Sequence, residues 1–193
     1  MLDLFVERRI KMHDPQANVW KGAAAGLAAG LAASWAMTQF LNLYGKLSDH
    51  HESEKEEPQH SVNRGEQESA QQKERGDDAT VKAADKLSRG LFHHALSQEE
   101  KKVAGPAVHY GFGALTGAAY GALAEIAPEV TRGVGAPFGT AVWLGADEVA
   151  VPALGLSGPP WEHPASVHAR AIAAHLVYGV ATEGVRRLAR RVL

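Results

Sequence analysis

The chain has 193 residues, no cysteine and a formal net charge of −2. That length suits one domain, and the charge argues against a nucleic-acid binder. The missing thiols exclude a disulfide framework, a cysteine nucleophile and thiolate-held metal clusters.

Residues 1–18 are mixed polar and charged, with Leu2, Leu4, Phe5, Val6 and Ile10 among them. They predict a cytoplasmic or interfacial segment. No cleavable leader is expected, because the first apolar run starts only near residue 19. From Val19 to Tyr44 the only charge is Lys21. A helix there is about 39 Å long at 1.5 Å per residue, enough to cross a hydrocarbon core of about 30 Å. Trp20 and Tyr44 stand at its ends, where amphipathic rings prefer to lie. Gly22, Gly26 and Gly30 fall four apart on one face, so a second helix can approach the backbone there.

Residues 45–79 read as an acidic, disordered loop. Between 48 and 78 there is no Leu, Ile, Phe, Trp, Tyr or Met, and ten acids face four bases. Such a stretch cannot bury enough apolar surface to offset chain entropy. Over 80–104, Val81, Ala84, Leu87, Leu91 and Leu96 predict an amphipathic helix at the membrane interface.

Three further spans follow. The second, 107–127, repeats the glycine spacing with Gly113, Gly117 and Gly121. The third, 133–156, carries Gly135 and Gly139, and the fourth is 165–185. Glycine is unfavourable inside soluble helices, so its repetition fits close packing in lipid. Residues 186–193 form a basic tail with Arg186, Arg187, Arg190 and Arg191. The expected fold is an all-α, four-helix transmembrane bundle. Basic residues flank span one (Arg8, Arg9, Lys11, Lys21) and fill the tail, while 157–164 has no Lys or Arg. Both termini are therefore expected in the cytoplasm and that turn outside.

The informative residues are those that lipid should reject. His109, Asp147, Glu148, Arg170 and His175 are expected to form a buried polar cluster in the outer half, with Tyr110 or Tyr178 nearby. Counted from the outer helix ends, the histidines and acids fall within roughly 12 Å along the membrane normal. His168, His175 and Thr182 share one helical stripe, and His109, Thr116 and Tyr120 share another. Glu125 and Glu183 form a second polar level near the terminal arginines. His168 lies near the interface and is left outside the cluster.

Imidazole and carboxylate groups so placed can pass protons near neutral pH or bind a divalent ion. Two histidines on different helices can also hold a haem. The alternative is a set of interhelical hydrogen bonds that fix packing. No catalytic residue and no metal site is assigned. His50, His51, His60, His93 and His94 match no zinc spacing. Ser157 and Ser166 lack a nucleophile-elbow context, and there is no phosphate-binding glycine loop.

The run HYGFGALTGAAYGALAEIAP at 109–128, the stretch from Ala141 to Glu148 (AVWLGADE), Pro152 and Gly158-Pro159-Pro160 form a series. It continues with His175-Leu-Val-Tyr-Gly and Glu183-Gly-Val-Arg-Arg187. This series resembles the YagU family of small bacterial inner-membrane proteins, over roughly residues 107–191. The resemblance implies a small inner-membrane protein of unsettled biochemistry with a suggested link to acid tolerance, and supplies no catalytic residues. The acidic insert 48–78 and the glycine-rich first span depart from that pattern.

The first functional expectation is a non-catalytic subunit or scaffold that packs through glycine-rich faces. Its partners are lipids and a membrane-protein partner or second copy, with no nucleic acid. The second is a protein that senses or moves protons or ions through the His/acid cluster. The third is a haem-binding redox protein. The cofactor is left unknown.

Overall fold

A computed structural model describes residues 18–53 and 78–193. Among them there are helices and turns but no strand, so the chain is all-helical. The expected segment 1–18, except Asn18, and most of the expected acidic loop lie outside the described residues.

Helix α1 spans Val19–Ser53. Asn18 opens it by accepting the Lys21 N–H at 3.0 Å. The helix passes the expected end at Tyr44, because no proline follows before Ser53 and the single Gly45 does not end it. Residues 45–53 of the expected loop are therefore helical.

Helix α2 spans Ala79–Phe92, with Asp78 accepting the Val81 N–H. It stops at His93, which adopts a left-handed φ of 54°. Helix α3 then begins at Gln98 and runs to Ile126. The single expected helix over 80–104 is thus two. The cause is a capping box: Ser97 accepts the Glu100 N–H while Glu100 accepts the Ser97 N–H. The hydroxyl and N–H of Ser97, with His94 behind them, hold Glu100 at about 2. A carboxylate held low supports the fold above its ordinary value, so this cap weakens as pH falls toward 2. At the same corner the Arg89 guanidinium and the Leu96 N–H hold Asp85 below the usual carboxylate range.

Helix α3 runs antiparallel to α1, and their glycines face each other. A Cβ on Gly26 would sit 2.1 Å from the Gly117 carbonyl oxygen. One on Gly30 would sit 2.1 Å from that of Gly113, and one on Gly22 would sit 2.5 Å from that of Gly121. Nothing larger than hydrogen fits at these positions.

A 3-10 turn, Pro128–Thr131, leads to Gly133, Val134 and Gly135, all at positive φ. Helix α4, Ala136–Trp143, follows. It continues as a π-helical stretch, Leu144–Ala150, and a last turn, Val151–Ala153. The third expected span, 133–156, is therefore shorter and not a uniform α-helix. Pro152 explains the widening: it lacks an N–H and its ring clashes with the carbonyl four residues back in an α-helix. Just before it, the Val151 N–H reaches back five residues to Ala146.

Helix α5, Ala165–Ala189, extends past the expected end at 185. Arg186 and Arg187 therefore belong to the helix and not to a tail. The α4–α5 contact uses the same device. A Cβ on Gly139 would lie 2.1 Å from the His175 carbonyl oxygen, and one on Gly135 would lie 2.1 Å from that of Gly179.

The interior is built largely of small and polar side chains. Its largest fully buried side chains are Glu183, Thr182 and Ser34. Ala25, Ala29, Ala33, Ala174 and Tyr178 supply half of the buried apolar residues. Large apolar groups point outward instead, among them Leu27, Leu31, Trp35, Leu115, Leu144 and Val149. Val19–Ser48 is the one helical segment among the described residues long and apolar enough by itself to cross a membrane.

Candidate functional site

Where α1, α3, α4 and α5 surround the bundle axis, a cavity of about 770 Å³ opens in one half. Its wall is mostly apolar, with Met37, Leu41, Phe112 and Val142, and α2 lies along its rim through Asp78, Ala79, Thr80 and Ala83. Lys86 of α2 donates to the Leu154 carbonyl at 2.5 Å, which ties α2 to the loop after Ala153.

All five residues of the expected cluster line this cavity. The π-helical stretch presents Asp147 and Glu148 as neighbours. His175 of α5 is buried; its Nδ1 donates to the Ala171 carbonyl at 2.9 Å and lies 3.7 Å from Asp147 Oδ2. His109 of α3 lies edge-on to Tyr110, with Nε2 3.5 Å from the Ser34 carbonyl oxygen. Of the five only His175 is buried: His109, Asp147 and Glu148 are half-buried, and Arg170 is exposed at the wall, with no ion-pair partner among the described residues. Tyr178 lines the cavity and donates to the Gly113 carbonyl at 2.6 Å, with Thr116 Oγ1 2.8 Å away.

His168, left outside the expected cluster, belongs to it. Its Nδ1 lies 2.6 Å from Glu148 Oε1 and its Nε2 lies 3.0 Å from the Pro160 carbonyl oxygen. The sevenfold spacing from His175 was the available signal, since it puts both rings on one face. Ser34 was also missed. The residue is 1% exposed and lines the same cavity, and its hydroxyl has no hydrogen-bond partner among the described residues. A serine inside a Gly/Ala run carries no sequence mark that separates it from a small packing residue.

Glu125 and Glu183 lie at the other end, on a separate level. Glu183 is 0% exposed and accepts from Tyr120 at 3.0 Å and Arg187 at 2.5 Å. Arg186 grips both its oxygens, at 2.7 and 3.0 Å. Glu125 is held in the same fork fashion by Arg190, at 2.6 and 2.9 Å, and also accepts the Asn18 N–H. Tyr120 stacks on Phe138, so α3, α4 and α5 are knitted together here. Every oxygen of Glu183 is matched, which is what a dry, fixed ion pair requires.

Residues 87–184 match the family described as Protein of unknown function (DUF1440). That is more than half of the 193 residues. The chain belongs to the DUF1440 family. The DUF1440 region begins within α2 and ends within α5, so it contains every histidine of the cavity and its acids Asp147 and Glu148, but not Asp78 at the rim. Ser34 on α1 and the arginines at 186, 187 and 190 fall outside it. No curated protein and no solved structure matches the chain.

Proposed function

We propose that this DUF1440 protein is a non-catalytic, proton-responsive integral membrane protein. The observation that carries the reading is the cavity: His109, Asp147, Glu148, His168 and His175 share it inside a bundle whose outer surface is apolar. Imidazoles change charge between about pH 5 and 8, and carboxylates beside them exchange protons with them. A bundle with buried Glu, Thr and Ser and outward Leu and Trp suits lipid better than water.

The same proposal takes α1, α3 from residue 107 onward, the α4 segment and α5 as four spans of a bacterial inner membrane. Kinship with the YagU proteins and cytoplasmic termini are parts of it. The arginine-rich end then faces the cytoplasm, in keeping with the positive-inside rule, and the cavity faces outward. Sensing is favoured over conduction because the half opposite the cavity is filled by backbone-to-backbone glycine contacts and by the matched Glu183 and Glu125 pairs. Docking through the glycine faces has less support, since Gly22, Gly26, Gly30, Gly135 and Gly139 are occupied within the chain.

The reading predicts that cavity protonation changes the spacing between α3 and the π-helical stretch. Spin labels at Leu115→Cys and Val149→Cys, both at exposed positions, report that distance in nanodiscs. The distance distribution should shift between pH 8 and pH 5. The combined variant His109→Gln, Asp147→Asn, His175→Gln should lose the shift. Superimposable native distributions at both pH values would contradict the reading.

A further inference from the structure

Hydrogen-bond bookkeeping at His168 leads to a specific device. Both ring nitrogens have a partner, and one partner has no choice of role. The Pro160 carbonyl oxygen only accepts, so Nε2 must carry a proton. That leaves Nδ1 against Glu148 Oε1 at 2.6 Å. If Nδ1 is bare, the carboxyl must bring the hydrogen. If the carboxyl is ionised, Nδ1 must bring it. In either form the pair holds one proton more than a neutral imidazole beside a carboxylate. A bare Nδ1 against a bare carboxylate at that distance sets lone pair against lone pair. Deprotonation therefore breaks one of the two contacts.

We infer that His168 and Glu148 form a built proton-binding site that clasps the 154–164 loop over the cavity mouth. The bound proton sits between α5 and the π-helical stretch, and the other ring nitrogen holds the loop through Pro160. Loss of the proton lets the ring choose between Glu148 and Pro160, and the loop is freed from one side. This rests on the proton-responsive reading above and adds to it a second proton-sensitive group, one that acts on the loop.

The surrounding titratable groups include Asp78 at the start of α2 and Glu162 of the loop, which with His163 lies beside Gly158. Asp147 neighbours Glu148 in the π-helical stretch, and His163 of the loop lies with its ring 6.3 Å from that of His168. His175 and Arg170 come from α5 itself, and His109 comes from α3 across the cavity. Lys86 of α2 holds the Leu154 carbonyl, so the start of the loop stays anchored and motion falls on its later part.

The chemistry predicts opposite outcomes for near-isosteric changes. In Glu148→Gln the amide N–H can donate to a bare Nδ1 while the neutral ring donates to Pro160. Both contacts then survive without the extra proton. In His168→Ala neither survives. Spin labels at Trp161→Cys and Leu115→Cys, 83% and 70% exposed in the native chain, report the loop-to-α3 distance.

The native protein in nanodiscs should give a narrow distribution at pH 5 and a broad one at pH 9. Glu148→Gln should stay narrow at both values, and His168→Ala should be broad at both. A native loop equally narrow at pH 5 and 9, or Glu148→Gln as pH-sensitive as the native chain, would overturn the clasp. If the loop is insensitive while the Leu115–Val149 distance still shifts, the clasp fails and the proton-responsive reading stands. If neither distance moves, both fail.

Discussion

Gly26→Leu is expected to prevent the bundle from forming. The first atom of the new side chain would lie 2.1 Å from the Gly117 carbonyl oxygen and 2.9 Å from the Gly121 Cα. Both obstacles are backbone, so no rotamer change makes room. Overpacking a core that can shift costs about 1–3 kcal/mol. Here α1 and α3 must separate along the whole glycine run, which breaks the neighbouring contacts at Gly22 and Gly30 as well. A loss above about 3 kcal/mol is expected, at the top of that range. Gly139→Leu should act in the same way on α4 and α5, where the His175 carbonyl is the obstacle. Gly111 is the control. A Cβ there meets nothing within 4 Å, so Gly111→Ala should be neutral or stabilising by up to about 1 kcal/mol. Thermal unfolding of the three variants in one detergent separates these outcomes. A Gly26→Leu protein as stable as the native chain would mean that α1 and α3 do not meet along their glycines.

Removing the Glu183 carboxylate should be nearly as damaging. Glu183→Ala leaves the Arg186 guanidinium buried with no anion and the Tyr120 hydroxyl without its acceptor. Breaking one side of a buried pair costs about 3–5 kcal/mol, because the remaining charge stays desolvated. Glu183→Gln should cost less, since an amide oxygen still accepts from Tyr120 or Arg186. The double variant Glu183→Leu, Arg186→Met removes both charges and should recover much of the loss. Denaturant unfolding in mixed micelles reads the series. If Glu183→Ala and the double variant are equally destabilised, the damage is the loss of the carboxylate's hydrogen bonds and not an orphaned Arg186 charge.

How legible this was in the sequence depends on the residue. Glycines four apart in Ala-rich runs carry their geometry with them, because the spacing alone puts them on one helix face. The pairing of Gly26 with Gly117 and of Gly139 with His175 could not be read, since spacing is silent about which faces meet. Asp147, Glu148 and His175 stood out as ionisable groups in apolar surroundings, and they do line one cavity. Arg170 stood out for the same reason but is exposed, because a long guanidinium side chain can reach out of an apolar wall. His168 was set aside for its position near a helix end. Its partner Pro160 lies in the intervening loop, and loop geometry leaves no periodic trace.

Helix boundaries failed where a local rule outweighed hydropathy. Ser97 and Glu100 carried a capping-box signature within a stretch read as one helix. Pro152 carried the reason for the π-helical stretch, and that stretch is what brings Asp147 and Glu148 to the cavity. Arg186 and Arg187 looked like a solvated tail, yet both are drawn to Glu183 one helical turn earlier.

Lipid around the bundle and water within its outer cavity form the central claim, and a cysteine scan tests it directly. The native chain has no cysteine, so each introduced thiol is the only one present. In sealed vesicles, Leu27→Cys, Leu115→Cys and Val180→Cys should react with a membrane-soluble maleimide and resist a charged, water-soluble one. Ala146→Cys, on the cavity wall, should react with the charged reagent from one side of the membrane only. Rapid reaction of the three outward positions with the charged reagent would contradict the account.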